Sequence, residues 1–442
     1  MEIFQHLGDS VERAYKNAGY EHNAFASIAN SALGEFNLPH EVTLSNLLNV
    51  QFAQPMDQDA HPFSDLSTRV FQTENFYIEI LFWSNSTTTI HQHSFSGAFK
   101  VLEGSSLHTK YKFNERTRID KHLQFGGVKA VSHEILKKGD IERIDAGENG
   151  LTHSLYHLDN PSITLVVRTN GREFTALQMD LVPPAISIAS QSLSKDKLVR
   201  NAIQSHMAIE SVADESAAKR WVELLSKIGW PRIFQVCLEL KSNLIESPVR
   251  TLLDANLFQK DEAGQLLANA IDQSNLLSNL SKGRSSISEP SLRFFLALLL
   301  NVHNREGIFQ ILESTHPNDD PSDILTRWII GLGNPENVLS ATTHVGQGWH
   351  HRKAPSLSLV HFARGVTICP KEHLQLTVAT AVKMTSTEKF EHHLRSIEGI
   401  SPNTISKCHH ALAYFKSMPE LRPLYNTSES NAALGQVVHG QS

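Results

Sequence analysis

Residues 65 to 182 contain a succession of short segments rich in aromatic and β-branched residues, and this pattern restricts the possible folds more than any other feature of the chain. The segment from Phe76 to Trp83 reads FYIEILFW and predicts a strand. Further strands are expected over residues 88–93, 98–102, 107–113, 128–136, 140–144, 151–158 and 163–168. Many short strands separated by turn residues are typical of a β-sandwich or a small barrel.

Helical patterns flank this β-rich region on its N-terminal side. In residues 1 to about 60, apolar residues such as Phe4, Leu7 and Val11 recur at the spacing of one helix face. We therefore expect a short N-terminal helical segment that packs on the β-rich domain, which would span residues 61–182.

The C-terminal half is also helical in pattern. Residues 183–195, which include two prolines and several serines, are the expected linker. From Trp221 to Ile228 the apolar residues again follow helical spacing, and residues 196–425 are predicted to form a large all-α domain. The polar tail, residues 426–442, is expected to be disordered. The prediction is an α+β multidomain chain whose helical domain resembles no family that we can name.

Composition excludes several classes of function. Lys and Arg total 40 and Asp and Glu total 46, so the formal charge of −6 argues against nucleic acid as a partner. The most apolar stretch, Phe294 to Leu300, is far shorter than the roughly 20 residues that a membrane-spanning helix needs. Only three cysteines are present, which is too few for a disulfide framework and favours the reducing cytoplasm.

Histidine is abundant, with 24 residues, and the spacing of two of them is informative. His91 and His93 are separated by one residue in a predicted strand, so their side chains point to the same side. Two adjacent imidazoles in an interior are costly unless something bridges them, and a divalent metal ion is the usual bridge. An H-x-H pair alone is a weak signal, because histidines on strands also occur as ordinary core residues.

The residues around this pair resemble the two sequence motifs of the cupin family. His91, His93 and Gly104 have the mutual spacing of the first motif, and Gly150-x2-His153 has that of part of the second. The resemblance implies an antiparallel β-barrel, the double-stranded β-helix, in which His91, His93 and His153 are metal ligands. The glutamate ligand of the first motif is missing, because its position is occupied by Gly97.

A cupin with three histidines and without that glutamate is similar to the cysteine and thiol dioxygenase group, and the likeness covers roughly residues 65–182. It implies a mononuclear non-haem site, with Fe(II) as the first choice of metal, that dioxygenates a thiol or another small acidic metabolite with O2. The chain departs from the group in two features: no cysteine lies near His93 to form the thioether crosslink of those enzymes, and their catalytic triad is absent. Alignment on Pro161 places Thr164, Val166 and Arg168 where those enzymes have a Ser-His-Tyr triad.

Strand parity supplies further candidate site residues. His157 shares a strand face with His153 and is the candidate catalytic residue; it could be a fourth metal ligand, a proton carrier or a hydrogen-bond partner of the substrate. Tyr111, Arg143 and Arg168 lie in predicted barrel strands and are candidates for binding an anionic substrate. The alternative for each is an ordinary core or solvent-facing side chain. A weaker second metal site is conceivable at His344 with His350 or His351.

Two alternatives stay open at this point. Ni, Zn or Cu would fit three imidazoles as well as iron does. The barrel could also be a non-catalytic cupin that binds a metal or small ligand and acts as a regulatory or interaction protein through the helical domain. A homodimer or a protein partner bound by that domain is compatible with either function.

Overall fold

The structure is a computed structural model, and it describes most of the chain up to residue 332. The described residues are 2–38, 43–53, 64–84, 88–147, 150–170, 177–183, 185–245, 247–284, 287, 289–302, 304–332 and 418–424, with a few short stretches between 378 and 413. The tail expected to be disordered, residues 426–442, lies outside these residues. The chain divides into two compact units, Met1–Asn275 and Leu276–Ser442.

The N-terminal helices pack against one β-sheet of the first unit. They are α1 (Glu2–Asn17), α2 (His22–Glu35) and α3 (Leu44–Ala53). Apolar residues at helical spacing, such as Val11 on α1 and Leu33 on α2, share a buried core with Ile78 and Leu165 of the sheet. The Lys100 ammonium donates hydrogen bonds to the carbonyl oxygens of Leu33 and Phe36, 3.0 and 2.6 Å away, at the end of α2. A cation at a helix C-terminus is favourable because the last carbonyl groups there lack backbone partners.

Eleven strands follow in the described part of the chain, and they form two antiparallel sheets. Their bounds are β1 Leu66–Gln72, β2 Phe76–Trp83, β3 Ile90–Gln92, β4 Gly97–Glu103, β5 Ser105–Arg118, β6 Leu123–Lys137, β7 Ile141–Ile144, β8 Thr152–His157, β9 Ser162–Thr169, β10 Asp180–Val182 and β11 Ile186–Ile188. The first sheet has the order β1-β2-β9-β4-β7, and the second closes on itself in the order β10-β11-β6-β5-β8-β3. The predicted strand over Phe76–Trp83 is confirmed by β2.

Strand β2 is buried on both of its faces, which explains its nearly continuous apolar sequence. Ile78 and Ile80 belong to the core that the N-terminal helices cover. Glu79, Leu81 and Trp83 alternate with them and line a cavity on the opposite face. The period of two along a strand therefore separates the helix-covered face from the face that forms the candidate site.

The segment expected to be a linker, residues 183–195, contributes to the barrel and to the helices that follow. It contains β11, which pairs with both β10 and β6, and the short helix α4 (Ser190–Leu193). The physical reason is that Ile186 and Ile188 lie in a buried apolar core. The prediction of a linker relied on the serines and prolines of the segment and gave no weight to these two apolar residues.

Further helices complete the first unit and form the second. They are α5 (Lys197–Val212), α6 (Glu215–Leu225), α7 (Trp230–Ile245), α8 (Pro248–Leu253), a π-helix (Asp254–Phe258), α9 (Glu262–Arg284), α10 (Pro290–Asn301), α11 (Arg305–Thr315), α12 (Pro321–Leu332) and a 3-10 helix (Pro419–Leu424). In the first unit, Trp221 and Phe234 share one core with Ile186 and Ile188 of β11. The predicted fold class, α+β with an antiparallel β-barrel flanked by helices, is confirmed, whereas the domain boundaries given above stay a prediction.

Among the described residues, no helix has both the length and the apolarity that a membrane crossing requires.

Candidate metal centre

His91, His93 and His153 lie side by side within the barrel. His91 is on β3 and faces His153 of β8 directly in the strand register, while His93 follows β3 by one residue. All three side chains are buried, and one ring nitrogen from each lies within 4.8 Å of those of the other two. Two strands that are distant in sequence thus bring the predicted ligands together.

The ring contacts orient nitrogen lone pairs toward a common space. His91 Nδ1 donates a hydrogen bond to the carbonyl oxygen of Thr89 at 2.8 Å, so the lone pair of His91 is on Nε2. The Nε2 atoms of His93 and His153 are 2.9 Å apart. Two nitrogens that are each about 2.0–2.1 Å from one ion lie about 2.9 Å apart when their bonds meet at a right angle. This separation fits a shared divalent metal ion.

Burial keeps the three imidazoles neutral. It lowers the pKa of His91 to about 4, and the positive charge of Arg168 acts in the same direction. Burial also holds the pKa values of His93 and His153 well below the ordinary value, with a further contribution from the neighbouring histidines. Neutral imidazole is the form that binds a metal, so the site is in its ligand form at physiological pH.

The position of the missing glutamate is closed to any side chain. A Cβ added to Gly97 would lie 2.1 Å from the carbonyl oxygen of Val167, because β4 and β9 are paired at this point. A fourth ligand therefore cannot come from this position of the chain, and the group of candidate ligands found at the cavity among the described residues consists of the three histidines. With three neutral ligands, the charge of a bound cation is not compensated by the protein ligands themselves.

The histidines form one wall of a cavity between the two sheets. The cavity has a volume of about 70 Å³, and all three histidines are among its lining residues. That volume exceeds the 10–15 Å³ or so that a single water requires. The other walls are mostly apolar, and they are formed by Leu81, Trp83, Phe95, Phe99, Ile144, Leu155 and Val166.

Arg168 supplies the positive charge of this cavity. Its guanidinium lies 3.5 Å from the ring centroid of Phe95 and 3.5 Å from the Oε1 atom of Glu79. Both charged side chains are largely buried, and both line the cavity. Within the part of the chain that the structure describes, Arg168 Nε is buried and has no hydrogen-bond partner. The guanidinium therefore keeps a donor that an anion in the cavity could use.

The residues aligned with the Ser-His-Tyr triad do lie at the cavity. Thr164, Val166 and Arg168 alternate along β9, and all three are among the lining residues. The hydroxyl of Thr164 accepts a hydrogen bond from Trp83 Nε1 at 3.1 Å. This face of β9 thus presents a hydroxyl, an apolar side chain and a guanidinium, and it carries no imidazole or phenol.

The other three predicted site residues lie outside the cavity lining. His157 is buried, stacks on Trp83 with ring centroids 4.2 Å apart, and has its Nδ1 2.9 Å from Ser106 Oγ. Tyr111 is also buried, and burial raises its pKa to about 12. Arg143 is at the surface, where it forms an ion pair with Asp145 at 2.7 Å.

Two residues at the site were missed by the sequence reasoning. His108 on β5 has its Nε2 2.8 Å from His153 Nδ1, and Glu79 of β2 pairs with Arg168. For Glu79 a signal existed, since a carboxylate within an apolar strand must find a partner when it is buried. The alternative metal site at His344, His350 and His351 falls outside the described residues.

Comparison with known proteins gives similarity at the level of solved structures. No family model matches the chain, and no curated protein matches it. An uncharacterised protein with a double-stranded β-helix domain from Klebsiella pneumoniae is 15% identical, covers 27% of this chain and 86% of its own, and has a TM-score of 0.18.

Two further solved structures match a similar share of the chain. Hydroquinone 1,2-dioxygenase from Sphingomonas sp. TTNP3 is 15% identical, covers 26% of this chain and 69% of its own, and has a TM-score of 0.19. An RmlC-like cupin from Shewanella frigidimarina is 14% identical, covers 26% of this chain and 97% of its own, and has a TM-score of 0.17. The neighbours described by fold are cupin or double-stranded β-helix proteins, the family that the sequence resembles.

Proposed function

We propose that this protein is a mononuclear non-haem oxygenase that binds Fe(II) at His91, His93 and His153 and dioxygenates a thiol or another small acidic metabolite. The observation that supports this most directly is that three neutral imidazoles and one guanidinium line the same small cavity. Candidate ligands for a cation and a group that can bind an anion thus line the same cavity.

The cofactor and the protein have separate roles in this proposal. When bound, Fe(II) supplies the redox chemistry that activates O2. The Nε2 lone pair of His91 is available for it because Nδ1 is committed to the carbonyl oxygen of Thr89. Arg168 binds the carboxylate or other acidic group of the substrate, and the apolar walls keep water away from the reacting atoms.

For a thiol substrate the reaction balances without another reagent. Both atoms of O2 form bonds to sulfur, the S–H proton is retained on the sulfinic acid or released to solvent, and the product is RSO2H. Sulfur is oxidised by four electrons, and these reduce the two oxygen atoms. The proposal therefore requires O2 and the substrate as small-molecule partners, and no external reductant.

The test combines metal analysis with turnover. Protein purified without oxygen and loaded with ferrous ion is expected to hold about one iron per chain. It should then consume O2 with at least one member of a panel of small thiols and carboxylic acids, and 18O2 should place both labelled atoms in the product. His91→Ala should abolish iron binding, whereas His122→Ala, at a histidine of the β5–β6 turn outside the cavity lining, should not. Unchanged iron content in His91→Ala would overturn the metal site.

A second candidate function is a non-catalytic cupin that senses a metal or small ligand. The observation in its favour is the face of β9, where Thr164 and Val166 stand in the positions of the triad. Under this function the protein would bind metal and ligand and consume no O2 with any member of the panel. A Ni, Zn or Cu ion found in the native protein would instead favour another cupin chemistry.

Two further expectations accompany the proposal. A cytoplasmic location follows from the few cysteines, and a homodimer or a protein partner bound by the helical residues stays a prediction. Analytical ultracentrifugation of the full chain would test the oligomeric state.

A further inference from the structure

A row of polar side chains connects the candidate metal centre to the outer surface of the barrel. His108 of β5 is fully buried and lies between β8, which carries His153, and β6, which carries Glu134. Its Nε2 is 2.8 Å from His153 Nδ1, and its Nδ1 is 3.2 Å from Glu134 Oε1. Each ring nitrogen of His108 thus has a defined neighbour.

When His108 is neutral, these two contacts allow one arrangement of protons. The carboxylate of Glu134 can only accept, so His108 must donate to it from Nδ1. A neutral imidazole carries one proton, so Nε2 of His108 is left as an acceptor. His153 must then donate from its Nδ1, and its lone pair is on Nε2. That is the nitrogen that faces His93.

The ionised state of Glu134 is stabilised by its surroundings. The hydrogen bond from His108 and the positive charge of Lys110 lower its pKa to about 2. Lys110 lies between two carboxylates, with its Nζ 3.2 Å from Glu134 and 2.9 Å from Glu142. The acceptor at the end of the row is therefore held in its charged form by a neighbouring cation.

His108, Glu134 and Glu142 could also be regarded as a second group of metal ligands, because their ligand atoms lie close together. The Lys110 ammonium argues against this, since it already occupies the place of a cation between both carboxylates. In addition, Nε2 of His108 is engaged by His153. The group is better suited to orienting His153 than to binding an ion of its own.

We propose that His108, anchored by Glu134, is a positioning residue that fixes the tautomer and orientation of His153, so that Nε2 of His153 faces the cavity. This inference rests on the proposed function, since it assigns a purpose to the orientation of one of the three candidate ligands. Outer-shell partners of metal-bound histidines often act in this way, and their loss typically weakens metal binding 10- to 100-fold.

The first measurement is metal affinity. Co(II) is titrated into the metal-free full chain and followed by its visible absorption. The His108→Leu variant, which removes the acceptor, should bind Co(II) about 10- to 100-fold more weakly than the original chain. His108→Gln keeps a hydrogen-bond acceptor near the position of Nε2, so its affinity for Co(II) should fall less than that of His108→Leu. The matched control is His133→Leu, since His133 is a half-buried histidine of β6 that contacts Thr109 at 3.0 Å; it should bind Co(II) unchanged.

The second measurement is independent of turnover and of metal affinity. In protein with 15N-labelled histidine, the imidazole signals of His153 should show its proton on Nδ1, both without metal and with Zn(II) bound. In His108→Leu this preference should disappear. A proton on Nε2 of His153 in the metal-free chain, or equal Co(II) affinity in His108→Leu and the original chain, would overturn the inference.

The two measurements also separate this inference from the proposed function. If the original chain binds neither Co(II) nor Zn(II), the metal site is wrong, and the 15N signals of the metal-free chain still decide how His153 is oriented. If metal binds and the His108 variants bind it equally well, the metal site stands and the positioning role fails. Should His108→Leu not fold, as judged by circular dichroism, the 15N experiment on the original chain decides alone.

Discussion

Gly97 lies so close to the backbone of Val167 that a Cβ on Gly97 would be 2.1 Å from the carbonyl oxygen of Val167. The two residues belong to the paired strands β4 and β9, and β9 also carries Arg168. The absence of a side chain at position 97 therefore allows the strand with the cavity's guanidinium to lie directly beside β4. The same contact explains why the glutamate of the cupin motif has no room here.

We expect that Gly97→Ala destabilises the protein by about 2 kcal/mol or more, because the strands must separate to admit the methyl group. Urea unfolding followed by circular dichroism measures the change. Gly127→Ala is the matched control on β6, where a Cβ would have no neighbouring atom within 4 Å. A Gly97→Glu variant that folds normally and holds iron more tightly would contradict this account.

Arg168→Gln should raise the KM for an acidic substrate about 10-fold or more, since a hydrogen bond to a charged group is worth about 1.5–3 kcal/mol. The same substitution leaves Glu79 without its cationic partner, although the Ser67 hydroxyl still donates a hydrogen bond to it at 2.9 Å. The double variant with Glu79→Gln therefore separates substrate binding from the cost of a buried carboxylate that has lost its cation. Arg143→Gln provides the control, because Arg143 is an exposed arginine on β7 and pairs with Asp145. Equal KM values for Arg168→Gln and the original chain would remove Arg168 from the site.

The metal-free protein should lose stability as the pH falls. Burial lowers the pKa of His91 to about 4 in the folded chain, whereas the unfolded chain titrates near 6.5. Between these pH values the unfolded state binds more protons than the folded state. The contribution of His91 to the free energy of unfolding is therefore complete above about pH 6.5 and is lost as the pH falls toward 4. For His91 alone, the free energy of unfolding should fall by about 2 kcal/mol between pH 7.5 and pH 5.0.

The measurement for this pH effect is urea unfolding at both pH values. His93 and His153, whose pKa values are also lowered, act in the same direction. In the His91→Asn variant the free energy of unfolding should depend less on pH, since this variant lacks one of the titrating groups. Identical pH dependence in both proteins would show that His91 titrates normally in the folded state.

Cys237 should be unreactive in the native protein. It is a free cysteine in the buried core of α7, and burial raises the pKa of its thiol to about 12, against a small opposing effect of Arg250. The thiolate is the reactive form, so iodoacetamide at pH 8 should not modify Cys237 until the chain is unfolded in guanidinium. Peptide mass spectrometry reports the modification, and rapid native labelling would contradict the packing of this helix.

The parts of the site that were predictable from the sequence depend on local spacing. His91 and His93 were identifiable because the alternation of a strand places residues two apart on one side. His153 required the resemblance to a family, since its strand is distant in the chain from His91 and His93. Arg168 was a candidate because it lies in a predicted barrel strand. Both side chains line the cavity.

The missed parts depend on pairing between strands. His108 reaches His153 only because β5 lies beside β8, and neither residue carries a local sign of the other. Strand parity also could not assign Arg143, which is in a short strand and turns to Asp145 at the surface. Likewise, Ile186 and Ile188 of β11 lie in a serine-rich segment without a clear strand pattern, and their burial depends on the closure of the barrel.

Closure of the barrel has a consequence for any attempt to isolate the metal-binding part. Asp180 of β10 is the register partner of His91, and β10 is held on its other side by β11. A fragment ending at residue 182 would lose β11, and the exposed edges of β10 and β6 would then be free to pair with other chains. The apolar residues of β11 are also part of the core that surrounds Trp221 and Phe234. Excision at this boundary should therefore yield an aggregating fragment, and the histidine site is inseparable from the helices that follow it.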